Sequence, residues 1–124
     1  MMKGRLQPEL LDRSEDFADR CVAVAEELDR AGRFRRIVEQ LAASGSSIGA
    51  NLAEADQAMS LRDFRKCLSI TAKELAETRF WLRLVIRRTW LPESRLTALL
   101  DELAQLRKIV GALLARTRES RKNV

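Results

Sequence analysis

Histidine and tyrosine are both absent from this 124-residue chain. Without histidine, the commonest metal ligand and the commonest general base are gone. Any enzymatic chemistry would rest on carboxylates, lysine or cysteine alone, and no catalytic set or metal site is identified. Cysteine is scarce too: Cys21 and Cys67 stand far apart and form no CxxC. Isolated cysteines on apolar helix faces read as reduced core residues, with a disulfide or a reactive thiol as the alternatives. Five glycines and two prolines leave few breakers among many Leu, Ala, Arg and Glu residues. That balance predicts an all-α protein. No apolar run approaches the roughly 20 residues that span a bilayer, so no membrane partner is expected. The opening "MMKGRLQPELLDR" lacks the apolar core of a signal peptide. The expected location is therefore the cytoplasm.

What is present is charge, unevenly placed. Charged residues make up 33% of the chain and hydrophobic ones 46%, which excludes a disordered composition. Residues 9 to 29 carry eight acids against Arg13 and Arg20, a net of −6. Residues 30 to 124 carry 19 basic and 10 acidic side chains, a net of +9. Such asymmetry suits self-association between unlike faces, or a polyanionic partner.

Apolar spacing divides the chain into four helical segments, about 9–30, 33–58, 61–88 and 92–118, followed by a basic tail over 116–124. The first carries Leu10, Leu11, Ser14, Phe17, Cys21, Val24 and Leu28 at steps of mostly three and four. Pro8 suits its first turn and Gly32 its C-terminal cap. The second carries Phe34, Ile37, Val38, Leu41, Gly45, Ile48, Leu52, Ala55 and Met59. The third follows Ser60, an N-cap with Asp63 in the capping-box place. Its seam is Leu61, Phe64, Leu68, Thr71, Leu75, Thr78, Leu82 and Val85. Pro92 opens the fourth, with Leu96, Leu99, Leu103, Leu106, Val110 and Leu113. Four long helices with short connections predict one domain over 1–124, an antiparallel up-down-up-down bundle.

Within the second helix, Gln40 to Ala53 is a run of 14 residues without a charge. The apolar period passes through "SGSSIGANLAEA" without a slip, so a helix is predicted, bent or straight at Ser44–Ser47. Gly45 and Gly49 lie four apart, and each mid-helix glycine costs about 1 kcal/mol relative to alanine. Close approach of a second helix would offset that cost, in the domain's own core or at an oligomer interface. A loop is one alternative, and a phosphate cradle the weakest, because no strand precedes the stretch and no GK[ST] follows it. Ser47, Asn51 and Glu54 share one flank of this helix. They form either an ordinary polar face or a buried hydrogen-bonded set that fixes helix pairing.

"SSIGANLAEA" followed by "DFRKCLSITAKELAETRFWLRL" resembles a bacterial four-helix-bundle family. That family includes proteins encoded by intervening sequences in large-subunit ribosomal RNA genes. A related branch is the accessory variability determinant of diversity-generating retroelements. The resemblance covers roughly residues 9 to 118 and is most specific over Ser47–Glu54 and Glu74–Leu84. One departure is Ala55, where the family often carries glycine. The resemblance implies a homopentamer, a ring of bundles with a basic surface, and an unknown function for most members. In the retroelement branch it implies binding to nucleic acid and to a reverse transcriptase.

The third helix carries the most basic surface. Arg62, Arg65, Lys66, Lys73, Arg79, Arg83, Arg87 and Arg88 occupy the half opposite the leucine seam. Arg62, Arg65, Lys66, Arg79, Arg83, Arg87 and Arg88 are the candidate nucleic-acid contacts. Ile70, Phe80, Trp81 and Leu84 add a second apolar patch, unusual on a monomer's surface. With Gly45 and Gly49, Ile70, Trp81 and Leu84 are the candidate oligomer interface, since Trp, Phe and Arg are over-represented there. The outer arginines are then a solvated face, or a surface for RNA first and DNA second. "RFRR" (Arg33 to Arg36) and Arg116, Arg118, Arg121 and Lys122 add charge. The expected protein is a non-enzymatic oligomer, a structural or adaptor module for nucleic acid. The rival is a protein-interaction module whose partner is acidic, a polymerase or the acidic first helix of another subunit. A carboxylate enzyme using Glu54, Glu74 or Glu77 is disfavoured, because di-iron bundles pair Glu with Glu-x-x-His. No cofactor and no small-molecule substrate is implied.

Overall fold

Local signals in the chain set the helix ends, and a computed structural model describes residues 4–122. Helix α1 spans Pro8–Arg30, α2 Arg35–Asp56, α3 Leu61–Arg87 and α4 Glu93–Lys122. Pro8 stands in the first turn of α1, where no backbone N–H is needed. Gly32 takes a φ of 71°, and Arg33 N–H donates to Leu28 O at 3.0 Å. This is the left-handed closure that glycine makes without steric cost. Ser60 caps α3 by accepting from Asp63 N–H at 3.1 Å. Thr89 closes α3 the same way at φ 55°, with Trp90 N–H donating to Val85 O. A β-branched residue there is strained.

The core follows the predicted stripes closely. Phe17, Cys21, Leu28, Leu41, Ile48, Leu52, Leu68, Leu75, Leu82, Leu103 and Leu106 are buried. The α3 seam is buried from Phe64 to Val85 as spaced. The stripe ends differ: Phe34 is 66% exposed and Met59 83%. Both lie outside α2, which is shorter than the predicted 33–58, and the chain turns away from the core beside them. Ala25 takes the core place given to Val24, which is half-buried. Helix α4 also runs past the predicted 118. Thr117 is buried against α3, where Arg65 Nε donates to its Oγ1 at 3.1 Å. The side chains of Arg121 and Lys122 lie outside the described residues.

Each helix packs on the next, and α4 returns to α1, while α1 and α3, like α2 and α4, stand diagonally without close backbone approach. Along α1 and α2, Ser14 meets Gly49 and Cys21 meets Gly45, so the numbering runs in opposite senses. The same holds for α1 and α4, where Arg13 meets Glu102 and Arg95 meets Glu27. A short strap precedes α1: Leu6 N–H donates to Asp56 Oδ1, and Arg5 Nε donates to Ala58 O. Among the described residues, every buried side-chain polar atom has a hydrogen-bond partner. Thr78 Oγ1, for example, donates to Glu74 O (2.8 Å) or to Ser44 Oγ (2.9 Å).

Candidate nucleic-acid interface

The small-residue stretch is one unbroken run of α2, and its glycines serve the chain's own core. A Cβ on Gly45 would stand 2.5 Å from Cys21 Cβ. One on Gly49 would stand 3.3 Å from Ser14 O. Gly45 and Gly49 let α1 approach α2, and Gly45 is buried within the chain, so it is not free to meet a second subunit. The polar trio is also corrected. Asn51 Nδ2 donates to Ser47 O at 2.8 Å and to Ser47 Oγ at 3.0 Å. Glu54 is exposed and takes no part, so Ser47, Asn51 and Glu54 are not a buried set. Their bonds stay within α2 because the flank looks outward, away from the core.

On α3 the structure separates three faces. The core seam is the first. Beside it runs a second line, Cys67, Ile70, Glu74, Glu77, Trp81 and Leu84, at steps of three and four, all half-buried. Trp81 Nε1 donates to Glu77 Oε2 at 3.0 Å. Phe80 meets Trp81 edge-on at 5.0 Å and is 57% exposed. Burial, and then the neighbouring Glu77 charge, raises the Glu74 carboxyl above its ordinary value. Burial is also the main cause that raises Cys67. The Cys21 thiol is pushed up to about 12 by burial, so it stays protonated at neutral pH. Both cysteines are free.

The third face is basic. Arg62, Lys66, Lys73, Arg79, Arg83, Arg87 and Arg88 are exposed, and Arg65 is half-buried on Thr117. Among the described residues the ion pairs are Arg13–Glu102, Arg20–Asp16, Arg35–Glu39 and Arg95–Glu27. None involves α3, so among the described residues its cations have no carboxylate within pairing distance. The predicted nucleic-acid set is not one patch. Arg62 and Lys66 lie near the start of α3, and Arg87 and Arg88 at its end. Arg79 and Arg83 line a groove of about 220 Å³ with Leu100, Leu103, Ala104 and Arg107 of α4. Arg107 was not among the predicted contacts. Its only signal is its place four residues after Leu103, on the edge of the α4 stripe.

Other places are less open to an anion. A cavity of about 270 Å³ between the strap and α4 includes Arg5, Arg13 and Arg116. Arg13 is committed to Glu102, at 2.7 and 3.0 Å, and Arg5 lies over the Phe64 ring at 5.5 Å. Among the described residues no group of three or more potential metal-ligating side chains comes together, Glu54, Glu74 and Glu77 included. No described helix is long and apolar enough to cross a membrane.

Fold and surface together define an all-α protein of four helices with a basic third helix. The chain belongs to the 23S rRNA-intervening sequence protein family, whose model matches residues 7–112. It is similar to a crystal structure of a protein with unknown function from the S23 ribosomal protein family of Bacteroides thetaiotaomicron. The two are 33% identical, the match covers 85% of this chain and 97% of the other, and the TM-score is 0.80. Comparison with curated proteins found no match.

Proposed function

We propose that this chain is a non-enzymatic, cytoplasmic module that binds RNA through the basic face of α3. The observation that carries this reading is the set of α3 cations without a carboxylate partner among the described residues. Unneutralised arginines gathered on one face attract a polyanion and release its counterions on contact. The opposed numbering of neighbouring helices supports an antiparallel up-down-up-down course. The half-buried line Ile70, Trp81 and Leu84 supports a homo-oligomer, five subunits in a ring, since a partly covered Trp–Leu line suits a subunit contact.

A binding titration of nuclease-treated protein against a structured RNA, at about 50 and 200 mM salt, tests the RNA reading. Submicromolar binding that weakens steeply with salt is expected. No binding at low salt would refute it. The half-buried line favours one rival, a protein-interaction module whose partner is acidic, such as a reverse transcriptase. Arg83→Glu with Arg87→Glu separates the two. RNA retention is lost and the oligomer spared if these arginines hold RNA; the oligomer falls apart if they hold protein.

A further inference from the structure

We infer that the groove between α3 and α4 is the seat of a single-stranded nucleic-acid backbone, with a phosphodiester held by Arg79, Arg83 and Arg107. The inference rests on the RNA reading above and locates it. Three arginines from two helices line one groove. Gathering like charges costs free energy, and no carboxylate among the described residues offsets it. All three are arginines, whose planar forks match two phosphate oxygens at once, rather than lysines, which act as point charges.

The shape of the site favours a strand over a folded partner. The groove volume, about 220 Å³, is below the roughly 300 Å³ at which pockets begin to enclose a drug-sized molecule. That is room for a phosphate and its sugar, not for a helix. Leu100 and Leu103 add apolar lining, and the small Ala104 side chain leaves space in the groove that a longer one would fill. Arg79, Arg83 and Arg87 recur every fourth residue, about 6 Å apart along the helix axis. A row of cations at that interval suits a linear polyanion. The groove also lies on the α4 side of α3, away from the Ile70–Trp81–Leu84 line proposed for subunit contact. Strand and subunit therefore do not compete for the same face.

The test uses the full chain and a fluorescent oligouridine of about 12 nucleotides, within the usual span of single-strand sites. Arg79→Gln, Arg83→Gln and Arg107→Gln are combined in one variant. Arg62→Gln, Lys66→Gln and Lys73→Gln are combined in another, which removes the same formal charge. The groove variant should weaken binding about tenfold more than the other. Its slope of log K against log salt should fall by about 2, the share of three single-strand phosphate contacts. Ala104→Leu removes no charge and fills part of the groove, and it should weaken binding as well. These substitutions are at exposed positions, and helicity by circular dichroism confirms that each variant is folded.

Equal losses in the two triple variants would mean a diffuse cationic cloud and would overturn the groove while leaving RNA binding intact. A wild-type chain that binds no oligouridine at low salt would overturn both readings. Poly-glutamate that competes with RNA at equal charge, and loses its hold in the groove variant, would reassign the groove to an acidic protein.

Discussion

Gly45 shows how one missing methyl group sets a helix pair. Alanine is the better helix former by about 1 kcal/mol, so propensity alone favours Gly45→Ala. The added Cβ would stand 2.5 Å from Cys21 Cβ and 2.9 Å from its Sγ, both closer than atoms can pack. Overpacking a core costs about 1–3 kcal/mol, which exceeds the propensity gain. Gly45→Ala should therefore lower Tm in thermal denaturation. Gly111 is the control, a helical glycine with open space around its Cβ position. Gly111→Ala should raise stability by up to about 1 kcal/mol. The same sign for both variants would show that α1 and α2 do not approach as described. Glu74 gives a second residue-scale expectation. Its folded carboxyl is raised, chiefly by burial, so its charged form opposes folding above that value. Glu74→Gln should raise Tm at neutral pH and have no effect well below pH 4.5, where the carboxyl is protonated folded or unfolded. A lower Tm at neutral pH would instead reveal a cation from another subunit beside Glu74.

Among elements, α1 and α4 make the lightest contact in the fold, and two ion pairs mark it. Arg13 holds Glu102 through two bonds of 2.7 and 3.0 Å. That hydrogen bonding lowers the Glu102 carboxyl below its ordinary value, against the opposing effect of burial. A lowered folded value contributes stability that is present above the unfolded value and lost as pH falls through the folded one. The loss therefore falls below about pH 4.5, the ordinary carboxyl value. Glu102→Gln should be less stable than wild type at pH 7 and should lose less on acidification through this window. Parallel acid limbs in urea unfolding would contradict the role given to this pair. The helices themselves were legible because core steps of three and four persist through "SGSSIGANLAEA". Ser60 and Gly32 announced their turns through residue type. Phe34 and Met59 misled, since an apolar side chain just beyond a helix end keeps the period while the backbone leaves the face. Arg13–Glu102 and the Arg107 groove were illegible for a different reason. They depend on how one helix is rotated against another, and periodicity gives each helix's own face but not that rotation.

At the scale of the whole molecule, the proposed assembly would multiply the charge. Leu84→Arg places a cation in the half-buried line of α3. It should reduce the mass seen by light scattering from five subunits toward one while helicity is kept. An unchanged mass would remove this line from the subunit contact. Five subunits at +5 each would carry +25, which predicts steep salt dependence for any bound RNA. Within one chain the signs are also kept apart. Seven of the eight acids between residues 9 and 29 are exposed on α1, and the longest row of exposed arginines outside the ion pairs of the described residues stands on α3. These two helices are one of the two diagonal pairs of the four, so the acids and the arginines look out from diagonal corners. A subunit tumbling near a polyanion therefore feels a torque as well as a pull: the acidic corner is turned away and the α3 side leads, so orientation is selected before any side chain makes contact.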